Sequence, residues 1–128
     1  MEDDAELKTL KSGSGIRIHV NDTDKIVTIE TPGHNRVELN DKEKSLTLRD
    51  QHGNKVVLGA GGITLESVRD VVLKAANGAV RIDAASELKA TAITTELAGK
   101  SSLKMHGATA ELNGQAMTTI KGGIVKIN

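Results

Sequence analysis

Apolar residues recur along this chain in short triplets, an apolar residue, a polar or small one and another apolar one. The early members are Ile16-Arg17-Ile18, Val27-Thr28-Ile29, Val37-Glu38-Leu39, Leu46-Thr47-Leu48 and Val56-Val57-Leu58. The series continues through Ile63-Thr64-Leu65, Val71-Val72-Leu73, Val80-Arg81-Ile82, Leu88-Lys89-Ala90, Leu103-Lys104-Met105, Ala110-Glu111-Leu112 and Val125-Lys126-Ile127, with Leu97 and Ile120 closing two weaker triplets. Period-two alternation marks a strand with one buried face. No window sustains the three- and four-residue spacing of an amphipathic helix. Turn formers such as Asn40-Asp41, Asn77-Gly78, Asn113-Gly114 and Gly59-Ala60-Gly61-Gly62 separate the triplets. The pattern predicts an all-β chain.

The triplets start 9 to 11 residues apart before residue 56 and 7 to 9 apart after it. Asn-Gly pairs are compatible with hairpins of an antiparallel sheet, but such short, evenly spaced strands favour a solenoid. One brief strand per repeat covers one side of a prism, and its apolar edge faces nothing unless other copies supply the remaining sides. Three chains around one axis satisfy this, so the expected fold is an intertwined homotrimeric triple-stranded β-helix, a β-prism needle. Residues 1–12 read as a linker or frayed end. Residues 13–62 read as wider, less regular layers at the needle base, and residues 63–128 as a regular shaft ending in the tip. Ile63, Leu65, Val80, Ile82, Leu103, Met105, Leu112, Ile120 and Val125 are the expected trimer core.

Composition supports a slim core. The 128 residues include no Phe, Tyr or Trp, the side chains that dominate most wide cores. Seventeen basic residues balance seventeen acidic ones, which argues against a nucleic-acid partner. With no cysteine, thiolate metal sites are excluded. The acidic start, MEDDAELK, is unlike a signal peptide.

Particular segments carry a family likeness. The stretch Lys11-Ser12-Gly13-Ser14-Gly15-Ile16-Arg17-Ile18, followed by Asn21-Asp22, resembles the lead-in that follows the small barrel domain of VgrG spike proteins. Residues 26–40, 46–58 and 63–75 are similar to the next segments of that family. The ending, Thr119-Ile120-Lys121-Gly122-Gly123-Ile124-Val125-Lys126-Ile127-Asn128, is the most specific match. The resemblance implies a homotrimeric, membrane-puncturing needle of a type VI secretion system, phage tail or other contractile injection system. It also implies a PAAR-repeat cap or effector at the C-terminal tip, contacts with tube and base components, and a target membrane that is pierced rather than bound. Assembly in the cytoplasm followed by secretion or injection goes with that role. The family's tube-docking base is absent, so the chain reads as a fragment or a stand-alone spike.

Candidate chemistry is sparse. His19, His34, His52 and His106 lack ligand-like spacing, and neither a metal nor another cofactor is expected. Carboxylates such as Asp22, Asp24, Glu66 and Asp70 could be imagined as a glycosidase pair, but a narrow shaft offers no cleft. The glycine run at 59–62 lacks the Lys-Ser/Thr of a phosphate loop. No catalytic residue is expected. Lys121 and the terminal Lys126, Ile127 and Asn128 are the candidate cap-binding residues, since a last open strand edge seeks a partner. A single-chain β-solenoid acting as an adhesin or ice-binding module is the competing reading.

Overall fold

The structure, a computed structural model, describes residues 7–128. Its regular elements are seven five-residue strands: β1 (Leu7–Lys11), β2 (Arg17–Asn21), β3 (Ile26–Glu30), β4 (Arg36–Asn40), β5 (Ser45–Arg49), β6 (Lys55–Gly59) and β7 (Gly62–Glu66). They form one antiparallel sheet in which each strand pairs with the next, β1 to β7 in chain order. No helix occurs among the described residues. The chain divides into two compact units, Met1–Arg81 and Ile82–Asn128.

Directly opposed residues share a face of the sheet, so the register sorts every side chain. One face carries two apolar rows across the strands. The first is Leu10, Ile18, Ile29, Val37, Leu48, Val56 and Leu65. The second is Lys8, Val20, Val27, Leu39, Leu46, Leu58 and Ile63. Lys8 is the one charge in these rows, and it sits on the edge strand. The opposite face is polar, with Thr9, His19, Thr28, Glu38, Thr47, Val57 and Thr64 along its middle.

Two loop designs close the hairpins. At one end, residues 12–16, 31–35 and 50–54 form five-residue loops with a left-handed residue in fourth place: Gly15 (φ 98°), His34 (φ 69°) and Gly53 (φ 95°). The first residue of each loop caps the last: the N–H of Ile16 donates to Ser12 Oγ (3.0 Å), that of Asn35 to Thr31 Oγ1 (3.3 Å) and that of Asn54 to Asp50 Oδ1 (2.9 Å). At the other end, residues 22–25 and 41–44 are four-residue loops. There Asn21 Oδ1 accepts the Asp24 N–H and Asn40 Oδ1 the Glu43 N–H, and the left-handed position falls on Lys25 and Lys44. The last hairpin turns through Ala60-Gly61 alone.

The loops repeat because the sequence does. Residues 17–35 and 36–54 are successive copies of a 19-residue unit that aligns Arg17 with Arg36, Asn21 with Asn40, Lys25 with Lys44 and Asn35 with Asn54. Residues 55–66 open a third copy, shortened by two residues in its first loop. The five-residue loops are stapled to one another. Asn35 Oδ1 accepts the N–H of Gln51 in the next loop (3.1 Å), and Asn54 Oδ1 accepts that of Val68 beyond β7 (2.9 Å). The matching residue of the first loop is Ile16, and the loop beside it offers Pro32, which has no N–H to donate. Acceptor and donor are absent together.

The all-β expectation is borne out, and the structure sets where the strands begin, how they pair and where the sheet ends. A strand covers 7–11, inside the segment read as a linker; residues 1–6 lie outside the described residues. Between 7 and 66 the strands pair within one chain as hairpins rather than as solenoid layers, because loops of two to five residues return each strand onto its predecessor. The sheet also continues to Glu66, past the base-to-shaft boundary read at 62.

Beyond Glu66 the chain stops pairing with itself. Ser67 starts a fourth loop, its hydroxyl donating to the Asp70 carbonyl (3.0 Å). Asp70, in fourth place, lacks the left-handed φ of Gly15, His34 and Gly53, so no returning strand forms. Residues 67–128 make no backbone–backbone hydrogen bond among the described residues. They are nevertheless regular. Bends at 85–86, 100–101 and 115–116, and at 93–94, 108–109 and 123–124, recur every 15 residues. The sequence keeps the same period: Ile82, Leu97, Leu112 and Ile127 are equivalent, as are Leu73, Leu88 and Leu103. Glycine starts several bends by necessity. A Cβ at Gly99 or Gly114 would collide with the carbonyl oxygen of Ser102 or Met117.

Candidate assembly surface

A single chain of this fold cannot cover its own apolar residues. Its accessible surface is 12285 Å², nearly twice the roughly 6,500 Å² expected of a folded monomer of its 13.5 kDa. No hydrophobic residue is buried among those described. On the apolar face Leu48 is 47 % and Ile63 73 % exposed. An antiparallel sheet ordinarily packs one face on a core, and here that face stands open over its full height.

The polar face is the better covered one. Thr28, the only buried residue among those described, lies there at 8 % exposure. Long charged side chains flank it. Arg17 pairs with Glu30 (3.2 Å), which also meets His34 (3.5 Å), and Arg36 pairs with Glu38. The Asn40 amide donates to Glu38 (2.9 Å) and, with the Arg36 guanidinium, holds its carboxyl below the ordinary glutamate range against a smaller opposing effect of burial. Asp50 is likewise lowered, first by the Asn54 amide and then by the backbone N–H groups of Asn54 and His52. Lys55 pairs with Glu66 (3.2 Å). A face this self-satisfied is suited to water. The apolar face has no such completion.

Past the fourth loop, Val71 and Val72 help enclose an apolar groove of about 600 Å³ with Ile29, Val37, Leu48, Val56 and Leu65. The groove is an extension of the same unfinished surface. From Val68 to Asn128 every residue is exposed, Ile93 completely. Backbone amides and carbonyls seek partners, and within 67–128 none is supplied by the chain's own backbone. A single-chain solenoid would close its coils with such bonds.

Ile63 and Leu65 of the expected core occupy the apolar face on β7. Val80, Ile82, Leu103, Met105, Leu112, Ile120 and Val125 are all exposed in one chain. They fall at matching places of the 15-residue unit, and the same register adds Leu73, Leu88 and Leu97. The expected core did not extend to Ile18 through Leu58, whose apolar residues lie on the same face as Ile63 and Leu65 and recur with the 19-residue period. At the C-terminus, Lys126 matches Arg81, Glu96 and Glu111, whereas Ile127 matches the apolar Ile82, Leu97 and Leu112. Ile127 therefore groups with the apolar positions, apart from Lys126 and Asn128.

The residues weighed for chemistry are spread out. Asp24 is 3.7 Å from Lys42, Glu66 is held by Lys55, and the Asp70 carbonyl serves the fourth loop. Thr9 and His19 share a hydrogen bond (3.0 Å), as do Gln51 and His52 (3.4 Å), while His106 is exposed. Among the described residues no three His, Cys, Asp or Glu side chains are grouped as a metal site. The glycine run at 59–62 is the corner between β6 and β7.

Against known proteins, residues 25–118 match the family described as the phage baseplate V C-terminal trimerisation domain. No curated protein matches the chain.

Proposed function

Since the chain belongs to the phage baseplate V C-terminal trimerisation domain family, we propose that it serves as the puncturing needle of a VgrG-type contractile injection spike. Membership of that family makes it a homotrimeric structural component of a phage-baseplate-type spike. The observation that carries the fuller reading is the change of pairing at Glu66. Before it, each chain makes a complete sheet with one open apolar face. After it, each chain offers regularly bent backbone that makes no backbone–backbone hydrogen bond among the described residues.

Three sheets placed with their apolar faces inward enclose a dry prism, and three extended segments wound about one axis complete one another's hydrogen bonds. Such a shaft resists axial load well, because no chain leaves without breaking bonds to both sisters. Apolar burial of roughly 25 cal/mol per Å² acts on all three chains at once, and folding is coupled to association. The chain performs no catalysis in this reading. It assembles in the cytoplasm, joins tube and base components, and presents its last strands, with Lys126 and Asn128, to a PAAR-repeat cap or effector. It then leaves with the apparatus to pierce a membrane.

Native mass spectrometry of the purified chain, followed by Leu112→Trp, tests the assembly. The expected result is a trimer that the indole disrupts by overfilling the axis. A compact parent monomer, or a Leu112→Trp variant that trimerises unaltered, would refute it. The puncturing role is tested by restoring parent chain or Leu112→Trp to an injecting particle that lacks it. Delivery restored equally by both would sink that role.

A further inference from the structure

The 19-residue period has a meaning for how sister copies meet. Unit 17–35 presents Ile18, Val20, Val27 and Ile29 on the apolar face; unit 36–54 presents Val37, Leu39, Leu46 and Leu48 in the same places. Residues 55–66 repeat the quartet as Val56, Leu58, Ile63 and Leu65, because their loop loses two residues, an even number, and alternation is preserved. We infer that each 19-residue unit is a self-contained assembly module, a two-strand layer carrying its own apolar footprint for the matching unit of two sister copies. Layers of this kind can be removed or added without rebuilding the interface. The inference rests on the homotrimer with apolar faces inward.

The loops specify which unit is interchangeable. Removing 36–54 joins Asn35 directly to Lys55, so β3 is followed by β6 and the 31–35 loop takes the place of 50–54. Asn35 Oδ1 then faces the Val68 N–H that Asn54 Oδ1 had accepted. Gly15 still meets Pro32, whose ring lies 3.2 Å from where its Cβ would be. Every staple keeps a partner. Removing only 36–44 deletes one strand. Each later strand then runs in the opposite direction, the 50–54 loop moves to the wrong end of the sheet, and residue 67 departs from the opposite end.

Three variants of the full chain test this by native mass spectrometry and thermal melting: deletion of 36–54, deletion of 36–44, and tandem duplication of 36–54. The first and third are expected to give trimers of correspondingly smaller and larger mass. Each should melt in one cooperative transition, with the midpoint lowered by the deletion and raised by the duplication. Deletion of 36–44 is expected to lose the trimer. The inference is overturned if the two deletions behave alike, or if the duplication fails to trimerise. The duplication removes nothing, so it decides the matter should the 19-residue deletion prove insoluble. A parent chain that is itself monomeric would instead refute the underlying trimer.

Discussion

Leu48 tests the orientation of the sheet most directly. It lies in the middle of the first apolar row, between Val37 and Val56, and a lone chain leaves 47 % of it open. Covering that remainder removes roughly 80 Å² from water, about 2 kcal/mol per chain at 25 cal/mol per Å². The trimer counts the contribution three times, about 6 kcal/mol. Leu48→Ala forfeits most of this and leaves three cavities facing one axis; buried Leu→Ala changes cost about 2–5 kcal/mol each. The matched control is Thr47→Ala, one residue away on the polar face. Thermal melts over a roughly hundredfold range of chain concentration, with sedimentation equilibrium, report both stability and association. The expected result is a large fall in midpoint and a trimer that dissociates on dilution for Leu48→Ala, with Thr47→Ala close to the parent. Surface substitutions generally stay within about 0.5 kcal/mol. If both variants fall inside that band, the apolar face is not where the copies meet.

Further outcomes follow from the loops, the polar face and the unpaired segment. Asn54→Ala removes the acceptor of the Val68 N–H and the amide that holds Asp50; it should lower the midpoint measurably, whereas Ser14→Ala should not. Glu38 has a depressed folded pKa, so its contribution is complete above the ordinary value near 4.5 and is lost as pH falls through the lower folded value. Melts of Glu38→Gln and parent should therefore differ at neutral pH and converge in acid. Hydrogen exchange of the intact trimer should find amides in 71–128 strongly protected, although one chain offers them no backbone acceptor; fast exchange throughout would contradict interwinding. Gly114→Ala places a methyl against the Met117 carbonyl oxygen and should impair assembly, with Gly61→Ala, whose Cβ has open space, as the tolerated counterpart.

The strands were legible because alternation of Val, Ile and Leu with polar residues survives any choice of partner. Their pairing was not. Hairpin closure depends on left-handed backbone at Lys25, His34 and Lys44, residue types that carry little turn signal compared with glycine or asparagine. β1 escaped notice because Leu10 stands alone on its apolar side, with Lys8 in the second row. The 19-residue period was hidden by divergence: Arg, Asn and Lys recur at the framing positions, while the apolar places exchange Ile, Val and Leu freely. For 67–128, alternation was visible, but which side chains converge is a property of three chains.

One detail at the rim of the sheet bears on alignment. Three interchangeable treads cannot tell a neighbouring copy where to stop, because sliding by one tread, about 10 Å for two strands, presents the same oily quartet again. Lys8 breaks that equivalence, as the one charge in the two apolar rows. In a trimer with those rows inward, a copy slid by one tread would set a sister's Lys8 against an oily residue instead of its own counterpart, and moving a charge into apolar surroundings costs several kcal/mol. Neutralising that position should leave threefold association intact and blur its alignment.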